Sequence, residues 1–527
     1  MSACAARRGL RFRLAQSALP LALLLGLAPL STSMAPAQDP TLTLDLEERT
    51  RQEPLLPGFT KGFELPGRGD SPAPSLPDSL AALRPGFWRI GSFDLYPAVA
   101  RFSPKVAMSL QGLYFKRHGS FGVRPWQRGE AGVDEWRRFC AEQVRLSKQR
   151  GVRVDYWEVW NEPDNPQFHG SWSELLELYR SAINSVHSVD PNARVVGPNI
   201  TDFDRSFSCR PDDRCTPPDQ PQTRGAPHKG LFDFLHDLSR PPYQVRLDAI
   251  SWHEFEEPAQ VVRDAERLRK FLSDPGRFDT PYRAELHLAE YQNSITHVLP
   301  GFAVGFIDAA ERARLSWITR SCWDVAEPGA ENWSTCHEGL NGLYLRNLRG
   351  KQVSYYVYEA YARIAGRDRS IARVATHSSS PYVSALAGVE PDGTALALIG
   401  VHGYAQEARS AVAGGPLRIA VRGYPSRSGT AHVQVRRLAH SLGRHEGVAR
   451  VGAASPPERL MSQDALIRGG VLRFSLEPRA RWGEAYWIEI SPPVEESTSQ
   501  PAGGPPARQP RDVPSSRYVH KEARVRR

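Results

Sequence analysis

The feature that most restricts the fold of this sequence is an alternation of short apolar runs with helical patterns between about residues 58 and 366. Runs of this length and composition are typical of buried parallel strands. Eight of them predict strands, over residues 59–65, 87–92, 106–115, 154–160, 194–197, 247–253, 283–290 and 315–323.

Helix-period segments separate the later strands, although the Pro-rich segment 66–86 leaves the early helices unclear. The helices are predicted over residues 135–149, 173–189, 231–238, 258–272, 304–314 and 353–365. Eight strands in strict alternation with helices predict an α/β fold, a parallel (β/α)8 TIM barrel. A doubly wound sheet is the alternative, but no GxGxxG motif follows the first strand.

After residue 370 the pattern changes to alternating strands without long helices between them, which predicts an all-β sandwich domain. The run 41–46 (TLTLDL) also alternates and is expected to add a strand to that sandwich. The predicted organisation is a signal peptide (1–37), an N-terminal strand and linker (38–57), a catalytic barrel (58–368), a β-sandwich (369–492) and a disordered basic tail (493–527).

The first 37 residues have the order of an export signal. Four arginines precede a short apolar stretch, residues 19–30, and Ala35-Pro36-Ala37 is a small-x-small cleavage site. The apolar stretch is short for a bilayer span, so we expect a secreted or periplasmic protein without a stable membrane anchor, with a retained anchor as the alternative. The Arg7-Arg8 pair also permits twin-arginine export, although the residues after it match that pattern poorly.

Charge and composition exclude several classes of protein. With 24% charged and 40% hydrophobic residues, the chain is neither disordered nor a multi-span membrane protein. The ends carry most of the net charge of +9, with +4 on residues 1–37 and +3 on 493–527, which leaves +2 for the body. A folded part so nearly neutral argues against a nucleic-acid partner.

Six cysteines fit an oxidising compartment. We expect Cys209 to pair with Cys215 and Cys322 with Cys336, and Cys140 to be a buried thiol within a helix. A metal site is the competing interpretation, but no CxxC and no HxxxH motif occurs, so neither a metal nor another cofactor is expected.

Two acids lie where a parallel barrel carries its chemistry, at the C-terminal ends of strands. Glu162 ends the fourth predicted strand and Glu290 the seventh. Two carboxyls facing each other across a small gap suit glycosidic bond cleavage, and a gap of about 5–5.5 Å implies a retaining mechanism. Either acid alone could be a solvated loop residue or a helix cap. Glu285 competes with Glu290, but pleat alternation places Glu290 with Leu286 and Leu288, and Glu285 on the opposite side and at the wrong end of its strand.

The segment from Trp157 to Pro163 (WEVWNEP) resembles the acid/base segment of glycoside hydrolase family 39, in the clan of retaining (β/α)8-barrel glycosidases. Its Asn-Glu-Pro core is shared across the clan, and the leading Trp-Glu-Val-Trp points to family 39. The resemblance extends over most of residues 58–490, through the segments 87–91, 247–253, 289–294, 339–344 and 433–441.

The resemblance implies a role for each site residue. Glu162 is the expected acid/base, with a raised pKa, and Glu290 the nucleophile. Asn161 is expected to bind the sugar 2-hydroxyl. Arg89 and His253 are expected to hold the nucleophile or the sugar, and Trp323 to stack on the sugar. The structural alternatives are an ion pair for Arg89, a core histidine for His253 and a core tryptophan for Trp323.

Two departures from the family pattern leave the sugar open among xylosides, iduronides and exopolysaccharide links. Phe255 stands where the family tends to have an aromatic hydroxyl, and the sequence 323–328 (WDVAEP) replaces an acidic, Phe-containing run. The resemblance therefore predicts a secreted retaining glycosidase that acts on an oligo- or polysaccharide. The alternative is a catalytically inactive carbohydrate-binding or scaffold protein on the same barrel.

Overall fold

A computed structural model shows the architecture of the chain. It describes residues 41–50, 55, 57–60, 76–119, 123–165, 168, 170–204, 207–209, 215–216, 228–326, 332–348, 350–366, 371–403, 416–424, 427–440, 443–445, 448–450, 456–476 and 481–492. The predicted signal peptide (1–37) and basic tail (493–527) lie outside the described residues. Among the described residues, no helix has the length and apolarity needed to cross a bilayer.

Eight parallel strands close into a barrel in sequence order, as predicted. Each strand pairs with its neighbours in the chain, and the eighth pairs with the first. From first to eighth the strands are Gly58–Thr60, Trp88–Ile90, Val106–Ser109, Tyr156–Glu158, Val195–Ile200, Ala249–Glu254, Glu285–Tyr291 and Trp317–Arg320.

Helices surround the barrel, and three of them, Leu231–Leu238, Pro258–Leu272 and Val353–Ala365, have the predicted bounds. The helix Trp172–Val189 begins at a capping box in which Ser171 and Glu174 each accept a backbone N–H of the other. The other helices are Tyr96–Ala100, Leu110–His118, Gly129–Gln149, Pro300–Arg312 and Thr335–Glu338, with 3-10 turns at Asp78–Leu83, Phe93–Leu95, Pro125–Arg128, Thr296–Val298 and Arg346–Leu348.

The prediction of one strand over residues 106–115 is wrong in its second half. The strand ends at Ser109, whose hydroxyl accepts the N–H of Gly112 and caps the helix Leu110–His118. Gly119 ends that helix with a positive φ of 64°. Apolar residues continue on both sides of Ser109, so the pattern did not reveal the boundary.

The second sheet-rich region is one sheet of nine strands that closes on itself. Its first strand, Thr41–Arg49, confirms the expectation from the run 41–46, since it pairs with both Ala372–Ser378 and Leu417–Arg422. The strand Glu458–Arg468 was not predicted because most of its positions are exposed and polar. The remaining strands are Val383–Val389, Ala395–Val401, Ser428–Leu438, Val471–Leu476 and Ala485–Ser491.

The helix Pro300–Arg312 packs the barrel against this second sheet. Gly301 lies so close to the sheet that a Cβ there would stand 2.2 Å from the carbonyl oxygen of Val401. Its N–H donates to the carbonyl of Gly483 at 2.8 Å. Glu311 of this helix and Arg373 of the sheet form a buried ion pair, so the contact combines close backbone approach with paired charges.

Two further small sheets are present. One joins Asp324–Ala326 and Asn332–Ser334, which follow the eighth barrel strand, to Val448–Arg450 and Gly443–His445 from the second region. The other contains Phe207–Cys209, Cys215–Thr216 and His228–Lys229.

The cysteines follow the predictions where the structure describes them. Cys322 and Cys336 form a disulfide with their Cα atoms 5.0 Å apart, and Cys140 is a buried free thiol. The backbones of Cys209 and Cys215 are directly opposite in an antiparallel pair. Their side chains lie outside what is described, so that pairing stays a prediction.

Candidate active site

Glu162 and Glu290 meet at the C-terminal mouth of the barrel. Glu162 lies in the loop after the fourth strand, with a positive φ of 50°, and its N–H donates to the carbonyl of Asn199 at 3.0 Å. One oxygen of Glu162, one oxygen of Glu290 and one ring nitrogen of His253 all lie within 4.8 Å of one another. The two carboxyls therefore face each other across a gap that one sugar carbon could occupy.

A bulge in the seventh strand brings Glu290 to the inside of the barrel. In the pairing with the sixth strand, Leu288 is opposite Trp252 and Glu290 is opposite His253, so Ala289 is an extra residue. Leu286 and Leu288 belong to the core between barrel and helices. The prediction that Glu290 shares a face with Leu286 and Leu288 is therefore wrong. Without the bulge, Glu290 would point out of the barrel toward the helices, as they do.

Arg89, on the second strand, connects the groups around the nucleophile position. The residue is 5% exposed, and its guanidinium donates from Nη1 to Glu290 Oε1 at 2.6 Å and from Nη2 to Asn161 Oδ1 at 2.5 Å. Burial opposes the charged form, but the charges and hydrogen bonds of Glu158 and then Glu290 outweigh it and raise the pKa of Arg89. Arg89 is a permanent cation between carboxylates.

Glu158 is a buried partner of Arg89 that sequence reasoning missed. It is 0% exposed and binds the guanidinium through both oxygens, at Nε and, at 2.7 Å, at Nη2. The sequence carried a signal for it, because an acid two positions after Tyr156 in a short apolar strand shares its inward face and needs a buried cation.

His253 lies beside Glu162. Its Nδ1 is 3.2 Å from Glu162 Oε1, although neither ring nitrogen makes a well-directed hydrogen bond. Burial raises the pKa of Glu162, but the contact and charge of His253 and then the charge of Arg89 outweigh it, and the pKa lies below its usual value. The raised pKa that was expected for Glu162 is therefore wrong, because the effects of His253 and Arg89 outweigh that of burial.

Glu285, the competing acid of the seventh strand, lies at the other end of the barrel. The hydroxyl of Tyr156 donates to it at 2.6 Å, and His287 Nε2 is 3.1 Å away. Arg194 forms an ion pair with it. Glu285 is thus held in a network of its own, away from the mouth.

Aromatic rings form one wall of the mouth. Trp323 follows the eighth strand and is half-buried, and its indole Nε1 donates to the carbonyl of Gln292 at 2.7 Å and to Ser321 Oγ at 2.8 Å. Phe255 packs edge-on against Trp323 at 5.2 Å and against His253 at 5.4 Å between ring centroids. Through Phe255 and His253, these contacts connect Trp323 to the two carboxylates. The disulfide of the adjacent Cys322 constrains the same loop.

The spacing of Glu162, His253 and Glu290 would also suit a metal ion. However, the guanidinium of Arg89 lies 2.6 Å from Glu290 and places a positive charge where the ion would bind. We therefore assign no metal to this site.

Fold and site together define the class of this protein, a (β/α)8 barrel whose mouth presents two facing carboxylates. No protein-family model matches the chain. The β-xylosidase of Geobacillus stearothermophilus is 29% identical over 164 residues, a match that spans 28% of this chain and 28% of the length of that protein.

Solved structures with a similar fold include glycosidases. A monomeric β-xylosidase from Caulobacter crescentus is similar over 86% of this chain and 99% of its own, with a TM-score of 0.53 and 13% identity. A GH39 enzyme from Xanthomonas axonopodis pv. citri is similar over 89% of this chain and 100% of its own, with a TM-score of 0.50 and 16% identity. The chain has a fold like that of glycoside hydrolase family 39, as its sequence resemblance predicted.

Replacing Arg89 by Met tests how much the fold depends on this cation. Arg89→Met leaves Glu158 as an unpaired buried carboxylate, so we expect a loss of about 3–5 kcal/mol in the free energy of unfolding. Arg101→Met, which breaks an exposed ion pair with Asp78, is the control and should cost about 1 kcal/mol or less. Urea unfolding measures both, and equal losses would contradict the buried network.

Proposed function

We propose that this protein is a retaining glycoside hydrolase that cleaves O-glycosidic bonds by double displacement. The observation that carries the proposal is the approach of Glu162 and Glu290 to within 4.8 Å at the barrel mouth, with Arg89 bound to Glu290. Retaining glycosidases place their carboxyls about 5–5.5 Å apart, whereas inverting enzymes need about 6.5–9.5 Å to admit a water.

Glu290 is the proposed nucleophile. Its carboxylate attacks the anomeric carbon, the bond to the leaving oxygen breaks, and a covalent glycosyl-enzyme forms. Arg89 orients Glu290 through Nη1 and binds the oxygen of Asn161 through Nη2. That second contact leaves the Nδ2 group of Asn161 as the donor toward the sugar 2-hydroxyl.

Glu162 is the proposed acid/base. It gives a proton to the leaving oxygen, and in the second step it takes a proton from the water that displaces Glu290. Burial raises the pKa of Glu162, whereas its contact with His253 Nδ1, over 3.2 Å, lowers it. A sugar that covers the site adds to the burial and so favours the protonated form that the first step needs.

The proposed substrate is an oligo- or polysaccharide with xyloside-type or exopolysaccharide links. Two of the similar proteins are named β-xylosidases, and the rings of Phe255 and Trp323 offer apolar surface to a sugar face. Secretion or periplasmic export is part of the proposal, and the Cys322–Cys336 disulfide supports it.

A mechanism-based inhibitor tests the function directly. A 2-deoxy-2-fluoroxyloside with a dinitrophenolate leaving group should form a stable adduct, which mass spectrometry should find on the peptide that contains Glu290. Glu285→Gln should still be labelled and Glu290→Gln should not. If aryl xylosides, glucosides and iduronides are neither hydrolysed nor trapped, the protein is the inactive carbohydrate-binding alternative.

Azide distinguishes the roles of the two acids. Glu162→Ala should retain part of the glycosylation step on a nitrophenyl glycoside, which needs little protonation, and azide should restore turnover and give a glycosyl azide of retained configuration. Glu290→Ala should lose turnover, and azide in the vacated space should give the inverted azide. NMR of the products identifies the anomers, and the same anomer from both variants would refute the assignment.

His253→Gln tests the effect of His253 on the pKa of Glu162. Because His253 lowers the pKa of Glu162, its removal should raise that pKa and keep the acid protonated to higher pH. We expect the basic limb of the kcat/KM profile to move to higher pH. His287→Gln, a buried histidine beside Glu285, is the matched control and should leave the limb in place. A basic limb that does not move in His253→Gln would contradict the pairing.

A further inference from the structure

Glu158 has a place in the site that the proposed reaction does not itself require. It lies on the inner face of the fourth strand and is fully buried. Among the described residues, no hydrogen bond joins it to Glu162, the proposed acid/base. Its two oxygens bind the Nε and Nη2 edge of Arg89. A buried carboxylate with this geometry either serves the fold alone or controls how Arg89 meets Glu290.

The shape of the guanidinium decides what Arg89 can offer to Glu290. A planar guanidinium binds a carboxylate most strongly through two parallel N–H bonds. Glu158 takes one such edge, and Asn161 shares Nη2 at 2.5 Å. Glu290 receives one bond, from Nη1 at 2.6 Å, with Thr60 Oγ1 3.4 Å from the same nitrogen. The described contacts of the guanidinium with Glu290 are thus limited to one N–H.

The charges around Arg89 also indicate that Glu158 controls how Arg89 acts on Glu290. One positive charge lies between two carboxylates, Glu158 and Glu290, inside a poorly solvated barrel. If Glu158 were neutral, the whole charge of Arg89 would act on Glu290, and its carboxylate would be a more stable and therefore weaker nucleophile. The negative charge of Glu158, which also binds Arg89, reduces that stabilisation of Glu290.

We propose that Glu158 is a positioning residue of the proposed glycosidase, which holds Arg89 in a single-bond contact with Glu290 and preserves the nucleophilic strength of that carboxylate. The inference rests on the proposed function and deepens it. It assigns Glu158 a part in the first chemical step as well as in the strand.

The test compares Glu158→Gln and Glu158→Asp with the wild-type protein and with Glu311→Gln. Gln keeps the size of the side chain and removes its charge, whereas Asp keeps the charge and withdraws it by one methylene. Glu311 is a buried partner of Arg373 between the barrel and the second sheet, so its variant controls for the loss of a buried ion pair. The fluoroxyloside reports the rate of the first step, and its trapped fraction counts the active molecules.

We expect Glu158→Gln to form the adduct about tenfold or more slowly per active molecule, since a stabilised carboxylate attacks less readily. The acidic limb of its kcat/KM profile should move to lower pH by about one unit, because losing a negative charge favours ionisation of the remaining carboxylate. Glu158→Asp should also slow adduct formation but leave the limb in place, and Glu311→Gln should change neither.

Wild-type rates and an unmoved limb in Glu158→Gln, with the wild-type protein labelled on Glu290, would overturn this inference and leave the proposed function intact. A wild-type protein that is not labelled at all would overturn the proposed function. If Glu158→Gln does not fold, Glu158→Asp decides: adduct formation at the wild-type rate would show that Glu158 serves the fold alone.

Discussion

The burial of one positive charge inside a closed ring of strands is the constraint on which the site depends. A buried guanidinium, here on a residue that is 5% exposed, is stable in the barrel only if hydrogen-bonded anions surround it. Arg89 on the second strand meets this condition with Glu158 beside it and Glu290 and Asn161 above it. These partners come from the fourth strand, the loop after it and the seventh strand. The site is therefore complete only when the barrel has closed.

The elements with a clear period were predictable from the sequence. Three helices have the predicted bounds, because each has an apolar face of helical period that ends in polar residues. The strand over residues 106–115 failed because an apolar run continues across Ser109, where the chain turns from strand to helix. The exposed strand Glu458–Arg468 failed because most of its positions are exposed and polar, so it lacks the apolar alternation of a half-buried strand.

In the site, the motifs identified both acids, but the local geometry was beyond the sequence. Strand alternation has a fixed period of two, and one extra residue at Ala289 reverses the face of everything after it. The pKa of Glu162 depends on the positions of His253 and Arg89 beside it in the folded barrel. Glu158 was within reach of sequence reasoning, since an inward acid in an apolar strand requires a partner, but the identity of that partner required the closed barrel.

The strand Thr41–Arg49 has a consequence for how the protein is made. It closes the second sheet by pairing with strands that follow the whole barrel in the chain, so the barrel is inserted between the first strand of that sheet and the rest. During synthesis this strand is made before the barrel and the later strands, so its partners in the sheet do not yet exist when it emerges. The second sheet can therefore close only after the whole barrel sequence and the later strands have been made, so its first strand is the one whose pairing is delayed longest.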